Sequence, residues 1–196
     1  MQTQTKQASD RRVAVFFADG TEEVEALAVV DILFRAGIAC DMVSITPELQ
    51  ITSSHNIGIV CNRSILDDDF DFEAYDMLVL PGGVVGTQNL EACEALGKAL
   101  RAHAEKGKDL AAICAAPSLF AKLGLLKGVH ATSNPGFQDV LVEHGAILEQ
   151  ERVVHDGNII TSQGMACAVG FALELVRTYA SEDVVDKVKA GIVELS

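Results

Sequence analysis

Three short apolar runs, each cut off by turn residues and followed by a stretch with helical spacing, constrain this chain more than any other feature. They are Arg12 to Ala18, "RVAVFFA", ending at Asp19-Gly20; "YDMLVLPGG", stopped at Pro81; and "DLAAIC", ending at Cys114. Apolar runs of this length without polar alternation suit strands buried on both faces. Strands that alternate with helices imply a parallel sheet, because each return to the same edge needs a crossover.

After the first run comes "TEEVEALAVVDILFRAG", where Val24, Leu27, Ala28, Asp31 and Ile32 fall near helical spacing. Thr21 is the expected cap, the early glutamates suit the positive helix end, and Gly37 closes the helix. Ile38 to Ile45 is a second strand, which completes a β-α-β unit. Residues Leu49 to Leu66 alternate weakly and suit short strands or a ribbon. One helix is expected from about Asn89 to Lys106, ended by Gly107, and another over "AAPSLFAKLGLL". "VVHDGNIITS" reads as a hairpin with Asp156-Gly157 in its turn. "ACAVGFALELVRTYA" and "SEDVVDKVKAGIVEL" are the C-terminal helices. The 196 residues are 49% hydrophobic, enough for one domain with a large core. The expected organisation is a flexible tail over residues 1–10 and a single α/β domain over 11–196, a mostly parallel central sheet with helices on both faces.

The net charge of −13 argues against a nucleic-acid partner and against an anionic membrane surface. No apolar run approaches the length of a membrane span. "MQTQTKQASDRR" has no apolar core of a signal peptide. The five cysteines are odd in number and widely spaced, with no C-x-x-C, so neither a disulfide framework nor a zinc site is expected and a reducing cytoplasm fits. Asp67-Asp68-Asp69, with no cation read beside it, is a solvated loop, with a metal site as the alternative.

In open α/β sheets, ligands collect beyond the carboxyl ends of the strands. Two strands end there in sequence suited to chemistry. Cys114 sits at a strand-to-helix change-over, flanked by Ala112, Ala115 and Ala116, as a sharp turn around a nucleophile requires. Pro117 suits the first turn of the next helix. A helix N-terminus at the sulfur would lower its pKa; the alternative is a buried structural cysteine. Gly82-Gly83 is either a tight turn or a close backbone approach that offers N–H groups to a substrate oxygen. The spacing is not that of a dinucleotide-binding loop. No cofactor or metal is called for. None of the five histidines, His55, His103, His130, His144 and His155, has a spacing that marks it as a base. Glu22, Glu23 and Glu25 follow the first strand, at the same sheet edge. Glu25 is the one placed to point inward, where burial beside a sulfur would raise its pKa.

"ADGTEEVEALAVVDILFRAGI", "YDMLVLPGGVVGTQNL", "AAICAAPSLFAKLGLL" and "IITSQGMACAVGFALELV" together resemble the ThiJ/PfpI superfamily, in particular its parkinsonism-associated deglycase branch. The resemblance runs over about residues 12 to 195. It implies a flavodoxin-like three-layer sandwich and a homodimer. It also implies an oxidation-prone nucleophile at Cys114, hydrogen-bonded by Glu25, beside a backbone pocket of Gly83 and Ala115. Asp31 and Arg35 match a pair placed at the dimer interface, and Arg63 matches an arginine of an anion-binding patch; simple surface ion pairs are the alternative. Where many members carry His before Pro, this chain has Asn134, so a Cys–His pairing is not implied.

The function this resemblance implies is a cofactor-independent, cysteine-dependent enzyme acting on 2-oxoaldehydes such as methylglyoxal, or releasing their early adducts with amines and thiols. The competing reading is an oxidative-stress sensor or redox-regulated chaperone that uses the same thiol. A cysteine peptidase ranks last, since Ala115, Ala116 and Pro117 stand where a histidine is wanted.

Overall fold

The computed structural model describes residues 9–194. The segment expected as a tail therefore lies outside the described residues up to residue 8.

Along the chain the elements are β1 (Arg12–Phe17), α1 (Glu23–Ala36), β2 (Ala39–Ser44), β3 (Gln50–Thr52), β4 (Gly58–Val60), β5 (Arg63–Ser64), β6 (Met77–Leu80), α2 (Val84–Ala92), α3 (Glu94–Glu105) and β7 (Asp109–Ile113). They continue with α4 (Pro117–Lys122), β8 (His130–Ala131), α5 (Gln138–Glu143), β9 (Ile147–Leu148), β10 (Val153–Asp156), β11 (Ile159–Ser162), α6 (Ala168–Tyr179) and α7 (Glu182–Ile192). Among the described residues, seven strands make the main sheet in the order β10-β11-β7-β6-β1-β2-β5. All pairs are parallel except β10 with β11, the hairpin, where Asp156 faces Ile159 across the turn.

Burial explains the layers. Along β1, Val13, Val15 and Phe17 pack with α1, α6 and α7, whereas Ala14 and Phe16 pack with α3 and α4. Successive strand side chains point to opposite faces, so one apolar run feeds two cores. Helices cover both faces, as a parallel sheet requires. Among the described residues no helix is long and apolar enough to cross a membrane.

Several local expectations change. The buried stripe of α1 is Ala26, Val29, Ile32, Leu33 and Ala36, with Glu25 in line with it; Val24, Leu27 and Asp31 face out. The helix cap is Glu22, whose carboxylate accepts the Glu25 N–H; the Thr21 hydroxyl instead accepts the Ala18 N–H at 3.0 Å and closes the turn after β1. The single helix expected from Asn89 to Lys106 is two, α2 and α3, broken at Cys93, which adopts an extended backbone. The stretch between α4 and β10, not assigned from sequence, holds α5 and the small parallel pair of β8 and β9.

The order of strands places the site. From β1 the chain runs outward to β2, then returns to the other side of β1 as β6 and continues to β7. The sheet's order reverses between β1 and β6, and a crevice forms there at the carboxyl ends. The first turn of α1 carries Glu25, and the loops after β6 and β7 carry Gly82-Gly83 and Cys114.

Candidate active site

Cys114 is the residue after β7. Its amide donates to the Ser162 carbonyl at 2.9 Å, which extends the pairing with β11, and its carbonyl accepts from the Asn134 N–H at 2.9 Å. Between these bonds the backbone turns at φ +65°, a left-handed conformation outside glycine. Such a residue costs about 1–2 kcal/mol. Ala112, Ala115 and Ala116 around it are fully buried, so small side chains are what the turn accommodates. Ala116 N–H then bonds back to Ile113, and Pro117 starts α4.

Glu25 reaches the same place from α1. It is 1% exposed. One carboxyl oxygen, Oε2, accepts the Gly82 N–H at 2.9 Å. The other, Oε1, finds no N–H or O–H donor and faces the Cys114 thiol. The loop after β6 is forced close: a Cβ on Gly82 would stand 2.4 Å from Glu25 Oε2 and 2.5 Å from the Cys114 Cβ. Gly83, at φ +90°, turns its amide toward the sulfur, as does Ala115. The Gly83 and Ala115 amides thus both stand against the Cys114 sulfur, while the Gly82 amide serves Glu25.

The electrostatics differ from expectation. Burial pushes the Glu25 carboxyl up to about 7; the hydrogen bond with Cys114 opposes this, the Glu22 charge adds to it, and the Gly82 amide opposes it. Cys114 was expected to be acidified by a helix end. Instead burial, then the charge and hydrogen bond of Glu25, push its thiol up to about 12, against the pull of the Gly83 and Ala115 amides. The helix that follows is only 6 residues long, so its field is small. Above a pH of about 7 the two groups hold one proton between them, mostly as carboxylate beside thiol. Acid beside thiolate and carboxylate beside thiol are then two forms of the same net charge.

Asn134 lies at the rim. It caps a short 3-10 turn, Pro135–Phe137, its Oδ1 accepting the Gly136 N–H at 3.1 Å. That bond turns the amide donor Nδ2 the other way. A Cβ on Gly164 would lie 3.7 Å from Asn134 Nδ2 and 3.9 Å from both Cys114 Sγ and Glu25 Oε1. Gly164 keeps open the volume onto which all three groups face. No motif in the sequence singles out Gly164; a glycine two residues after a buried strand end at the sheet's carboxyl edge is the signal that points to it.

Other expected residues lie elsewhere. Arg63 is bound by Asp67 at 2.9 Å and Asp69 at 2.7 Å, with its guanidinium near the Phe70 ring. The acidic run therefore has a cation beside it, and Arg63 is occupied rather than free to hold an anion. Arg35 pairs with Asp31 at 2.6 Å on the exposed face of α1. Each histidine has a partner away from the sulfur: His55 with Glu23, His103 with the Tyr75 carbonyl, His130 with Glu149, His144 with the Val140 carbonyl and His155 with Glu174. Among the described residues, one cluster has metal-ligand chemistry, Glu22, Glu23 and His55, with ligand atoms within 4.8 Å of one another. Its carboxylates are engaged, Glu22 by the Glu25 amide and Glu23 by Ser54 and His55.

Comparison with known proteins fits this geometry. The model of the DJ-1/PfpI family matches residues 11–178. Protein DJ-1 homolog A of Arabidopsis thaliana is 37% identical over 184 residues, 93% of this chain and 46% of that protein, so the chain spans about half that relative's length. The glutathione-independent glyoxalase DJ-1 of Schizosaccharomyces pombe is 31% identical over 178 residues, covering 88% of this chain and 93% of that one. The crystal structure of Drosophila melanogaster DJ-1beta superposes with a TM-score of 0.86 at 32% identity, over 93% of this chain and 97% of that one. The flavodoxin-like architecture and the ThiJ/PfpI resemblance are borne out.

Proposed function

Because the chain belongs to the DJ-1/PfpI family, we propose that it is a cofactor-independent enzyme in which Cys114 attacks 2-oxoaldehydes such as methylglyoxal and returns the 2-hydroxy acid. The observation that carries this reading is the buried Glu25 carboxyl, one oxygen held by Gly82 and the other facing the Cys114 sulfur. The relative named a glutathione-independent glyoxalase supports it.

The Glu25 carboxylate takes the Cys114 thiol proton as the sulfur adds to the aldehyde carbon and forms a C–S bond; the carbonyl π electrons move to oxygen. The Gly83 and Ala115 amides, which already face the sulfur, stabilise that oxyanion before it takes a proton as a hemithioacetal. As carboxylate, Glu25 then removes the hydrogen on the former aldehyde carbon as a proton, giving an enediolate in which the hydroxyl proton of the first oxygen passes to the second. As acid, it returns the proton to the neighbouring carbon. The product is a 2-hydroxyacyl thioester on Cys114. Water adds to it, the C–S bond breaks, and the acid leaves with the thiol restored. A carboxyl group titrating near 7 serves in both directions at neutral pH. Asn134 Nδ2 donates to the second substrate oxygen. The same thiolate and oxyanion pocket also fit hydrolysis of early adducts between these aldehydes and amines or thiols.

The test is direct lactate measurement from methylglyoxal without glutathione, for purified wild type, Cys114→Ala and Glu25→Gln. Both variants are expected to lose most activity; unchanged lactate formation in either ends the mechanism. Adduct release is to be measured with free aldehyde trapped chemically, so that scavenging does not pass for repair.

The Glu25 Oε1 that faces the sulfur also supports a redox reading, since a protonated carboxyl there would hydrogen-bond a Cys114 sulfinate. Mild peroxide should then add two oxygens at Cys114 before any other cysteine, and even oxidation of all five would exclude it.

The reading includes a homodimer through α1. Val24, Leu27 and Phe34 are exposed there beside the Asp31–Arg35 pair. In a two-fold contact between α1 helices, an Asp31 that meets Arg35 of the other copy has that pair repeated by symmetry. Light scattering should report a dimer, and Phe34→Asp a monomer.

A further inference from the structure

Glu22 is an unusual residue for a helix start. Shorter polar residues are the usual caps, and they accept the same N–H without adding a long charged arm. Here the Glu22 carboxylate accepts the Glu25 N–H at 2.7 Å. Its own N–H donates to the Gly82 carbonyl at 2.9 Å. The Gly82 N–H in turn donates to Glu25 Oε2 at 2.9 Å. These three bonds close a ring that ties the first turn of α1 to the loop after β6. The next residue of that loop is Gly83, whose amide faces the sulfur.

We propose that Glu22 is the positioning residue of this site: its carboxylate closes the hydrogen-bonded ring that sets where the Glu25 carboxyl and the Gly83 amide stand against the Cys114 sulfur. The proposal rests on the reading of Cys114 and Glu25 as the working pair. It also gives the charge on Glu22 a task. The Glu22 carboxylate, held at the Glu25 N–H, disfavours a second negative charge on the Glu25 carboxyl. It therefore raises the share of the form with the proton on Glu25 and the negative charge on sulfur, against the burial that favours the neutral thiol. The titratable groups facing the Glu25 carboxyl are Glu22, on its own helix, and Cys114, after β7. The loop after β6 presents only the Gly82 N–H, and Gly164 and Asn134 bring no charge.

The experiment is the pH dependence of Cys114 alkylation by iodoacetamide, read by mass spectrometry at that site, for wild type, Glu22→Gln and Glu22→Asp. Alkylation needs no substrate, so absence of lactate formation would remove the enzymatic reading and leave this test intact. In wild type the rate should rise as the pair loses its first proton and then level off. In Glu22→Gln the amide oxygen still accepts the Glu25 N–H, but the charge is gone. The midpoint should move to lower pH, because Glu25 ionises more easily. The rate above it should fall about two- to ten-fold, because the remaining proton shifts toward sulfur. Glu22→Asp keeps both cap and charge and should follow wild type. A Glu22→Gln profile that overlays wild type, or equal shifts in the Gln and Asp variants, would overturn the proposal.

Discussion

Asn134 and Cys114 are joined through their backbones, the Asn134 N–H donating to the Cys114 carbonyl at 2.9 Å. The side chain of Asn134 is also fixed, by the Gly136 N–H on Oδ1, so that Nδ2 faces the volume beside Gly164 that the sulfur also faces. An amide there donates hydrogen bonds but moves no protons. Asn134→Asp keeps the bond to Gly136 and the size of the side chain. It replaces the donor with a negative charge near the thiolate and the developing oxyanion. Turnover of methylglyoxal should fall by about a hundredfold or more, the range for losing one such donor. Cys114 alkylation should slow as well, since the new charge opposes ionisation of the thiol. Steady-state kinetics and alkylation rates on the same preparation check both.

Gly82 carries a second prediction. A methyl group there would sit 2.4 Å from Glu25 Oε2 and 2.5 Å from the Cys114 Cβ, neither of which lies at the end of a free surface side chain. Gly82→Ala should therefore destabilise the protein by roughly 1–3 kcal/mol, as overpacking does. It should also push Glu25 off the sulfur. Urea unfolding gives the first effect. The second should appear as lost lactate formation in protein that remains folded by circular dichroism.

The strained turn at Cys114 predicts an order among variants. At φ +65° alanine meets the same steric penalty as cysteine, whereas glycine does not. Both remove the thiol. Cys114→Gly should thus be more stable than Cys114→Ala by about 1 kcal/mol, although glycine loosens the unfolded chain. Chemical denaturation of the two inactive variants measures this, and the reverse order would place the strain elsewhere.

What the sequence made legible follows from how local each signal is. The runs of β1, β6 and β7 are buried on both faces, so apolar composition alone located them and, with them, the edge where Cys114, Glu25 and Gly83 meet. The break at Cys93 was not legible, because residues 89–106 keep a continuous helix-like composition and the interruption is a backbone event. The partners of Arg63 were misjudged for a related reason: Asp67 and Asp69 lie 4 and 6 residues on, and only the turn after β5 folds them back onto the guanidinium. The acidification expected of Cys114 failed on magnitude. Burial and the nearby carboxyl outweigh the field of a one-and-a-half-turn helix. The hydrogen-bonded ring through Glu22 and Gly82 joins residues 57 to 60 apart in sequence, which no spacing rule reports.

Glu25 should leave a signature in stability as well as in rate. Its carboxyl titrates at about 7 in the folded protein against an ordinary 4.5. Between those values the folded state holds a proton that the unfolded state has released, so stability falls as pH rises. The stabilisation from neutral Glu25 is complete below the unfolded value and is lost as pH climbs through the folded one. A shift of this size corresponds to about 3 kcal/mol, as an upper bound. Other carboxylates in the chain, such as Asp41 and Asp76, are held low by their hydrogen bonds and tilt the total profile the other way. The comparison that isolates Glu25 is therefore wild type against Glu25→Gln, with urea unfolding at several pH values from about 4 to about 8, below the range where cysteine ionises. Glutamine is neutral throughout, so any fixed cost of its amide is independent of pH. The difference in stability should move in favour of Glu25→Gln by up to about 3 kcal/mol across that range, most of it lost by wild type above the unfolded-state value. A difference that stays flat would mean Glu25 ionises equally in folded and unfolded chains, and the buried acid beside Cys114 would then have no special proton to give.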